Sequence, residues 1–203
     1  MMNTLNKILK EMDYIENNNF KNEIITGLYK ENFEFINCNL DNISFIECDL
    51  EKIYFKNCII TNCDLSNSNF SNGTFKEVNI TNCKLVGSNL NRGYFDKVII
   101  ADSNLRNIYL DETIINNTNF NNNDLKDCIF TNSKLKHINL NNCILVNSNF
   151  SKTKLKKIDL SNSTIDGIIV YIDDLKGCIM TTMQALEFVK VLGIKFKEDI
   201  DFS

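Results

Sequence analysis

The sequence predicts an all-β solenoid, a chain that turns one corner every five residues and stacks its coils on one another. Three observations carry this. Every fifth residue from Phe35 to Val170 is Leu, Phe, Ile or Val, 28 positions without a break. A period of five fits neither the 3.6 of a helix nor the 2 of a strand. The position two before each centre is restricted as well, holding Cys, Ser, Thr, Gly, Ile or Val with Phe33 and Asn123 as the exceptions. Each five therefore offers two inward side chains, one large and one mostly small, and three outward ones dominated by Asn, Asp, Ser, Thr and Lys. Finally, residues 20 apart form columns. One reads Phe35, Phe55, Phe75, Phe95, Ile115, Leu135, Leu155; another reads Asn42, Asn62, Asn82, Asp102, Asn122, Asn142, Asn162. Four fives per coil bring each column into a stack, the phenylalanines as an interior aromatic ladder and the amides as a hydrogen-bonded one.

The recurring order of small residue, Asn or Asp, Leu or Phe, then two polar residues resembles the pentapeptide-repeat family. Cys38-Asn39-Leu40-Asp41-Asn42 and Cys63-Asp64-Leu65-Ser66-Asn67 carry the resemblance residue by residue. It implies a right-handed quadrilateral β-helix, with about seven 20-residue coils over residues 31–170. At a rise of ~4.8 Å per coil the rod is about 34 Å long. Each coil contacts only its neighbours, so both ends need caps.

Residues 1–30 are expected to form an N-terminal amphipathic helix and cap. Leu5, Ile8, Leu9, Met12 and Ile15 share one helical stripe over residues 4–16, with Thr4 or Asn3 as N-cap and Asn17-Asn18-Asn19 as the stop. This helix is either a plug for the core or a partner-binding element. Residues 171–203 leave the five-residue phase and contain a C-terminal helix, 181–192, ended by Gly193. Its apolar residues spread over more than one stripe, so Leu186, Phe188, Val189, Val191 and Leu192 are candidate dimer-interface residues. The segment also resembles the C-terminal module through which Qnr-type quinolone-resistance pentapeptide proteins dimerise. Capping within one chain by Ile194-Lys195-Phe196 is the alternative.

Composition removes several functions. No apolar run approaches the ~20 residues of a membrane helix. The charged start, Met1 to Glu16, lacks an export signal, so a cytoplasmic location with reduced thiols is expected. A net charge of −4 argues against nucleic acid and anionic membranes as partners. Chain-wide, 34 asparagines stand beside no proline, where average usage gives roughly ten prolines.

No catalytic, metal or cofactor site is expected. Seven of the eight cysteines (Cys38, Cys48, Cys58, Cys63, Cys83, Cys128, Cys143) sit in the inward small-residue slot, and only Cys178 lies outside it. None forms a C-x-x-C pair, so zinc spacing is missing. His137, the one histidine, lies among Lys134, Lys136, Lys154 and Lys156 with no nearby carboxylate to orient it. The adjacent pairs Asp111-Glu112 and Asp173-Asp174 have no expected cleft to desolvate them. The chain therefore reads as non-enzymatic.

Charge sorts by side. The side centred on Phe35 holds eight basic and three acidic residues, the lysines bunched at Lys134, Lys136, Lys154, Lys156 and Lys157. The Leu40 side holds Asp41, Asp102 and Asp159 with no basic residue between 31 and 170, and is the candidate partner-binding acidic side. The resemblance to topoisomerase-binding members of the family implies a dimeric rod that imitates duplex DNA, binds DNA gyrase or topoisomerase IV, and protects against fluoroquinolones. The small net charge, the basic side and the lack of a projecting loop depart from that pattern. A general protein-interaction scaffold is the alternative, favoured by outward Tyr54, Tyr94, Ile59, Ile99, Ile114, Ile129 and Ile144.

Overall fold

The computed structural model describes residues 4–191. A short helix, α1 (Leu5–Glu11), opens the chain. Seven coils of strands follow: β1 (Tyr14–Glu16), β2 (Asn19–Thr26), β3 (Glu34–Ile36), β4 (Asn39–Ile46), β5 (Tyr54–Lys56), β6 (Ile59–Thr61) and β7 (Thr74–Lys76). They continue with β8 (Asn79–Thr81), β9 (Tyr94–Asp96), β10 (Ile99–Ala101), β11 (Ile114–Asn116), β12 (Asn119–Asn121), β13 (Lys134–Lys136) and β14 (Asn139–Asn141). Odd strands build one parallel seven-stranded sheet and even strands another. Every pairing joins residues 20 apart, as in Phe35 to Phe55 and Leu40 to Ile60. The remaining two sides are held by parallel bridges at the same spacing, Ser44–Asp64–Lys84 and Asp49–Asn69–Asn89 among them. The molecule is a four-sided solenoid.

The asparagine content has a backbone cause. From Asn37 to Lys157 every fifth residue has a positive φ, 25 positions, of which 13 are Asn and one is Gly87. This is the corner that ends each side. A left-handed conformation costs most L-residues about 1–2 kcal/mol, and Asn tolerates it because its short amide bonds locally. None of the 25 is β-branched.

The centres fill the interior, with Phe35, Phe95, Leu105, Phe120 and Leu155 at most 1 % exposed. Most inward polar side chains donate to the coil below, while Ser103, Thr113 and Thr118 bond within their own coil. Ser68 Oγ donates to the Phe45 carbonyl (3.0 Å), Ser88 Oγ to that of Leu65 (2.7 Å), and Cys58 Sγ to that of Phe35 (3.4 Å). Asn123, one of the two exceptions, is 1 % exposed: its Nδ2 donates to the Ile100 carbonyl (2.8 Å), and its Oδ1 accepts from Ser103 N–H (2.9 Å). Phe33, the other, lies 4.9 Å from the Phe35 ring. Among the described residues no buried side-chain N or O lacks a partner, as a dry core requires.

The N-terminal end differs from expectation in extent. The helix predicted over 4–16 stops at Glu11, and Ile15 is a buried strand residue whose register partner is Phe35. Ile15, Phe20 and Ile25 already hold the five-residue phase, so stacking under the next coil wins over helical continuation, and Met12 is left 44 % exposed. The stacked coils therefore begin at Tyr14 rather than at 31. Lys30 concealed this, a lysine in a centre slot; its Nζ bonds Asp13 (2.7 Å) and lies 6.0 Å from the Phe33 ring, while Leu28 turns inward. Within α1, Leu5, Ile8 and Leu9 seal the first coil. Glu23 of β2 accepts from the N–H of Leu5 (3.0 Å), placing a carboxylate at the helix N-terminus.

At the other end a 3₁₀ turn, Ile172–Leu175, leads to α2 (Thr182–Val191). Thr181 and Gln184 form a reciprocal cap: Thr181 Oγ1 accepts from Gln184 N–H (3.2 Å) and Gln184 Oε1 from Thr181 N–H (2.8 Å). Gln184 Nε2 also donates to the carbonyls of Leu160 (2.9 Å) and Ser163 (2.8 Å), tying α2 to the last coil.

Candidate interaction surfaces

The even-strand face carries the three carboxylates singled out from the sequence. Asp41 is half-buried; it accepts from Lys21 Nζ (3.1 Å), Thr61 Oγ1 (3.2 Å) and Asn62 Nδ2 (2.8 Å). The Asn62 and Lys21 bonds hold its carboxyl below the usual carboxylate range. Asp102 is exposed and accepts from Asn122 Nδ2 (2.9 Å). Asp159 is exposed and accepts from Ser161 N–H (2.9 Å); the Ser161 side chain, then its backbone N–H, holds the carboxyl below the usual range. The three share a face but stand on separate coils, so they form a line of acceptors rather than a cluster. Lys21, on the coil that begins at Tyr14, adds a basic residue to this face.

Between the carboxylates runs the amide column. Asn42 Nδ2 donates to Asn22 Oδ1 (2.8 Å), Asn82 to Asn62 (2.6 Å) and Asn142 to Asn122 (3.2 Å), while Asn62 turns aside to Asp41. A parallel ladder, unremarked in the sequence, joins Asn39 to Asn19 (2.6 Å) and Asn139 to Asn119 (3.0 Å). Its signal was present as Asn recurring one residue before the Leu40-side centres.

In the odd-strand interior, Phe35, Phe55, Phe75 and Phe95 stack in succession with centroids 4.8, 5.5 and 4.8 Å apart. Outside, Lys134, Lys136, Lys154 and Lys156 are exposed. β13 is the last strand of this sheet, and Leu135 is only half-buried. Opposing like charges destabilise a ladder, and here the next coil would set Lys154 on Lys134 and Lys156 on Lys136.

Towards the C-terminal end of the described residues apolar side chains accumulate. Leu186, Phe188 and Val189 are half-buried, and Phe188 packs against the core. Leu192, Gly193, Ile194-Lys195-Phe196 and the side chain of Val191 lie outside the described residues. Before α2 in the chain, Ile169, Tyr171 and Ile179, and within it Met183, are each more than half exposed.

The groups singled out for possible chemistry are buried or bonded to neighbouring coils at most positions. The seven repeat cysteines are buried; Cys178 is half-buried, with Sγ 3.4 Å from the Ile158 carbonyl. Burial pushes the thiols of Cys143 and Cys178 up to about 11, and the Cys63 hydrogen bond followed by burial raises Cys83. His137 is exposed in a corner (φ 52°), with Nδ1 3.3 Å from Asn117 Oδ1. Asp111 accepts from Thr131 Oγ1, and partial burial raises its pKa. No group of three metal-ligating side chains occurs among the described residues. No helix among them is long and apolar enough to cross a membrane.

Family models for a pentapeptide repeat region and for pentapeptide repeats match residues 30–109 and residues 103–142 and 124–162. The chain belongs to the pentapeptide-repeat family. Among solved structures it is similar to QnrB1, a plasmid-mediated fluoroquinolone resistance protein. The identity is 15 %, the match covers 87 % of this chain and 100 % of QnrB1, and the TM-score is 0.51. HetL, a pentapeptide repeat protein involved in heterocyst differentiation regulation from the cyanobacterium Nostoc, matches at 16 % identity over 82 % of this chain and 89 % of HetL, with a TM-score of 0.32. No curated protein sequence matches. The likeness to QnrB1 at this identity shows the pentapeptide-repeat fold alone.

Proposed function

We propose that this pentapeptide-repeat protein is a non-enzymatic, cytoplasmic binding protein whose rod occupies the DNA-binding surface of a type II topoisomerase, DNA gyrase or topoisomerase IV, in place of duplex DNA. The observation that carries the reading is the even-strand face. It presents carboxylate and amide oxygens coil after coil from Asn22 to Asp159, with Lys21 as its one basic residue between 14 and 162. A DNA-binding surface is built to accept regularly spaced anionic oxygens. Similarity to QnrB1 along that protein's full length supports the same reading and extends it to protection against fluoroquinolones. Exposed Ile169, Tyr171, Ile179 and Met183 and the partly exposed apolar residues of α2 support a homodimer through Leu186, Phe188, Val189, Val191 and Leu192.

The test is equilibrium binding of the full chain to purified gyrase, with and without competing duplex DNA. The reading expects saturable binding displaced by DNA and weakened at least tenfold by Asp41→Lys with Asp102→Lys. Binding unaffected by both contradicts it. A scaffold for another protein is the second reading, favoured by Ile59, Ile99, Ile114 and Ile144 standing 37–45 % exposed on the outer sides; it expects no gyrase binding.

A further inference from the structure

The odd-strand face takes no part in the topoisomerase reading, yet its charges are graded along the rod. Two outward columns flank the buried centres. Tyr14, Glu34, Tyr54, Thr74, Tyr94, Ile114 and Lys134 lie in register in one; Glu16, Ile36, Lys56, Lys76, Asp96, Asn116 and Lys136 do so in the other. The next coil adds Lys154 and Lys156 on either side of the buried Leu155. Glu16, Glu34, Lys134, Lys136, Lys154 and Lys156 are exposed, and none takes part in an ion pair among the described residues. One end of the face is thus acidic and the other basic, both uncompensated.

Two copies of a flat face can meet about a two-fold axis in two ways. An axis along the rod sets each coil on its own counterpart and exchanges the columns, so that Lys134 faces Lys136 and Lys154 faces Lys156 of the second copy. An axis across the rod makes the copies antiparallel and sets each column against itself in reverse. With full overlap Glu16 then meets Lys156, Glu34 meets Lys134, Lys76 meets Asp96, and Tyr54 meets Ile114, every contact occurring twice. Tyr14 meets Lys154, a cation over an aromatic ring. No like charges meet; Lys136 opposite Ile36 and Lys56 opposite Asn116 are the two lysines left with neither an opposite charge nor a ring. Register is specified too, because a slip of one coil in either direction sets Lys76 or Asp96 against its own symmetry mate.

We infer that this face docks on a second copy of the chain, antiparallel, about a two-fold axis that crosses the rod between the coils of Phe75 and Phe95. Such an isologous contact closes on itself. The strip is one coil side wide, below the area of a standard interface, and its contacts are exposed ion pairs. The association is therefore weak and salt-sensitive, unlike an apolar contact through α2.

Sedimentation equilibrium of the full chain in 50 mM and 500 mM salt tests this with two charge-swapped variants. One carries Glu16→Lys and Glu34→Lys, the other Lys134→Glu and Lys156→Glu. Wild type is expected to self-associate at least tenfold more tightly in low salt. Each variant alone should lose that salt-sensitive component, and an equimolar mixture should regain it, because every swapped contact is again of opposite sign. All four positions are exposed, so unchanged melting temperatures serve as the folding control. Salt-independent mass in all samples, or variants that do not complement one another, overturns the inference. So does salt-insensitive self-association accompanied by duplex DNA binding that the Lys→Glu variant abolishes, which would assign the lysines to a polyanion.

Discussion

Phe75 and Phe95 are 20 residues apart in the chain, yet their rings stack with centroids 4.8 Å apart and planes within 2° of parallel. That contact joins the five-residue period to the stacking of coils: the period turns each phenylalanine inward, and four periods return the chain to the same side. Phe75 touches Phe55 below as well as Phe95 above. Phe75→Ala should therefore cost about 3–5 kcal/mol in denaturant unfolding, the range for truncating a buried aromatic. A loss under about 1 kcal/mol would show that the ladder does not hold neighbouring coils together.

The corner positions make a sharper test, because two variants there lose the same amide bond while only one strains the backbone. Asn82 has φ 54° and donates to Asn62. Asn82→Val places a β-branched residue in the left-handed region and should cost about 1–2 kcal/mol from the backbone alone, while Asn82→Gly should stay within about 1 kcal/mol of wild type. Equal effects in the two variants would attribute the asparagine to its amide bond instead.

These corners mark what was legible in the sequence. The inward phase from Phe35 to Val170 was plain because burial tolerates only a few side-chain types there. The corner requirement was less visible, since Lys52, Glu77 and Arg92 adopt the same positive φ as the asparagines and only the missing β-branched residues betray the constraint. The first coil was hidden by Lys30, whose charge is held by Asp13 rather than excluded from the repeat. Ile15 matched a helical stripe and a five-residue phase equally well, and stacking on the next coil decided between them. The acidic line could be grouped by side from spacing, but its bonds to Lys21, Asn122 and Ser161 depend on side-chain rotamers that no periodicity specifies.

Buried thiols give the rod an alkaline limit. In the folded chain burial disfavours the thiolate and pushes the Cys143 thiol up to about 11, above its ordinary value. A raised folded pKa favours the folded state fully below the unfolded pKa, near 8.5, and that contribution is lost as pH rises through 11. Wild type should therefore lose more stability than Cys143→Ser between pH 8.5 and 11. Serine suits the slot, since Ser163 occupies the equivalent place one coil on. Parallel stability curves for the two proteins would refute the assignment.

The terminal helix depends on one side chain. Gln184 both closes the Thr181 cap and holds the carbonyls of Leu160 and Ser163. Gln184→Ala should speed hydrogen exchange throughout α2 and destabilise it by about 1–3 kcal/mol, from the lost cap and the bonds to the last coil. Exchange no faster than in wild type would mean that α2 is held by apolar packing alone.

If α2 forms the dimer contact, Leu186→Asp should convert a salt-independent dimer to monomer in light scattering, with the coils still folded by circular dichroism. An unchanged mass would remove α2 from the interface.

Gyrase supercoiling with the purified protein titrated in, with and without a fluoroquinolone, bears most directly on the central claim. A DNA-imitating rod should inhibit supercoiling, or rescue it from the drug, at micromolar protein, and Asp41→Lys with Asp102→Lys should abolish the effect. No inhibition and no rescue across a wide titration would contradict topoisomerase binding.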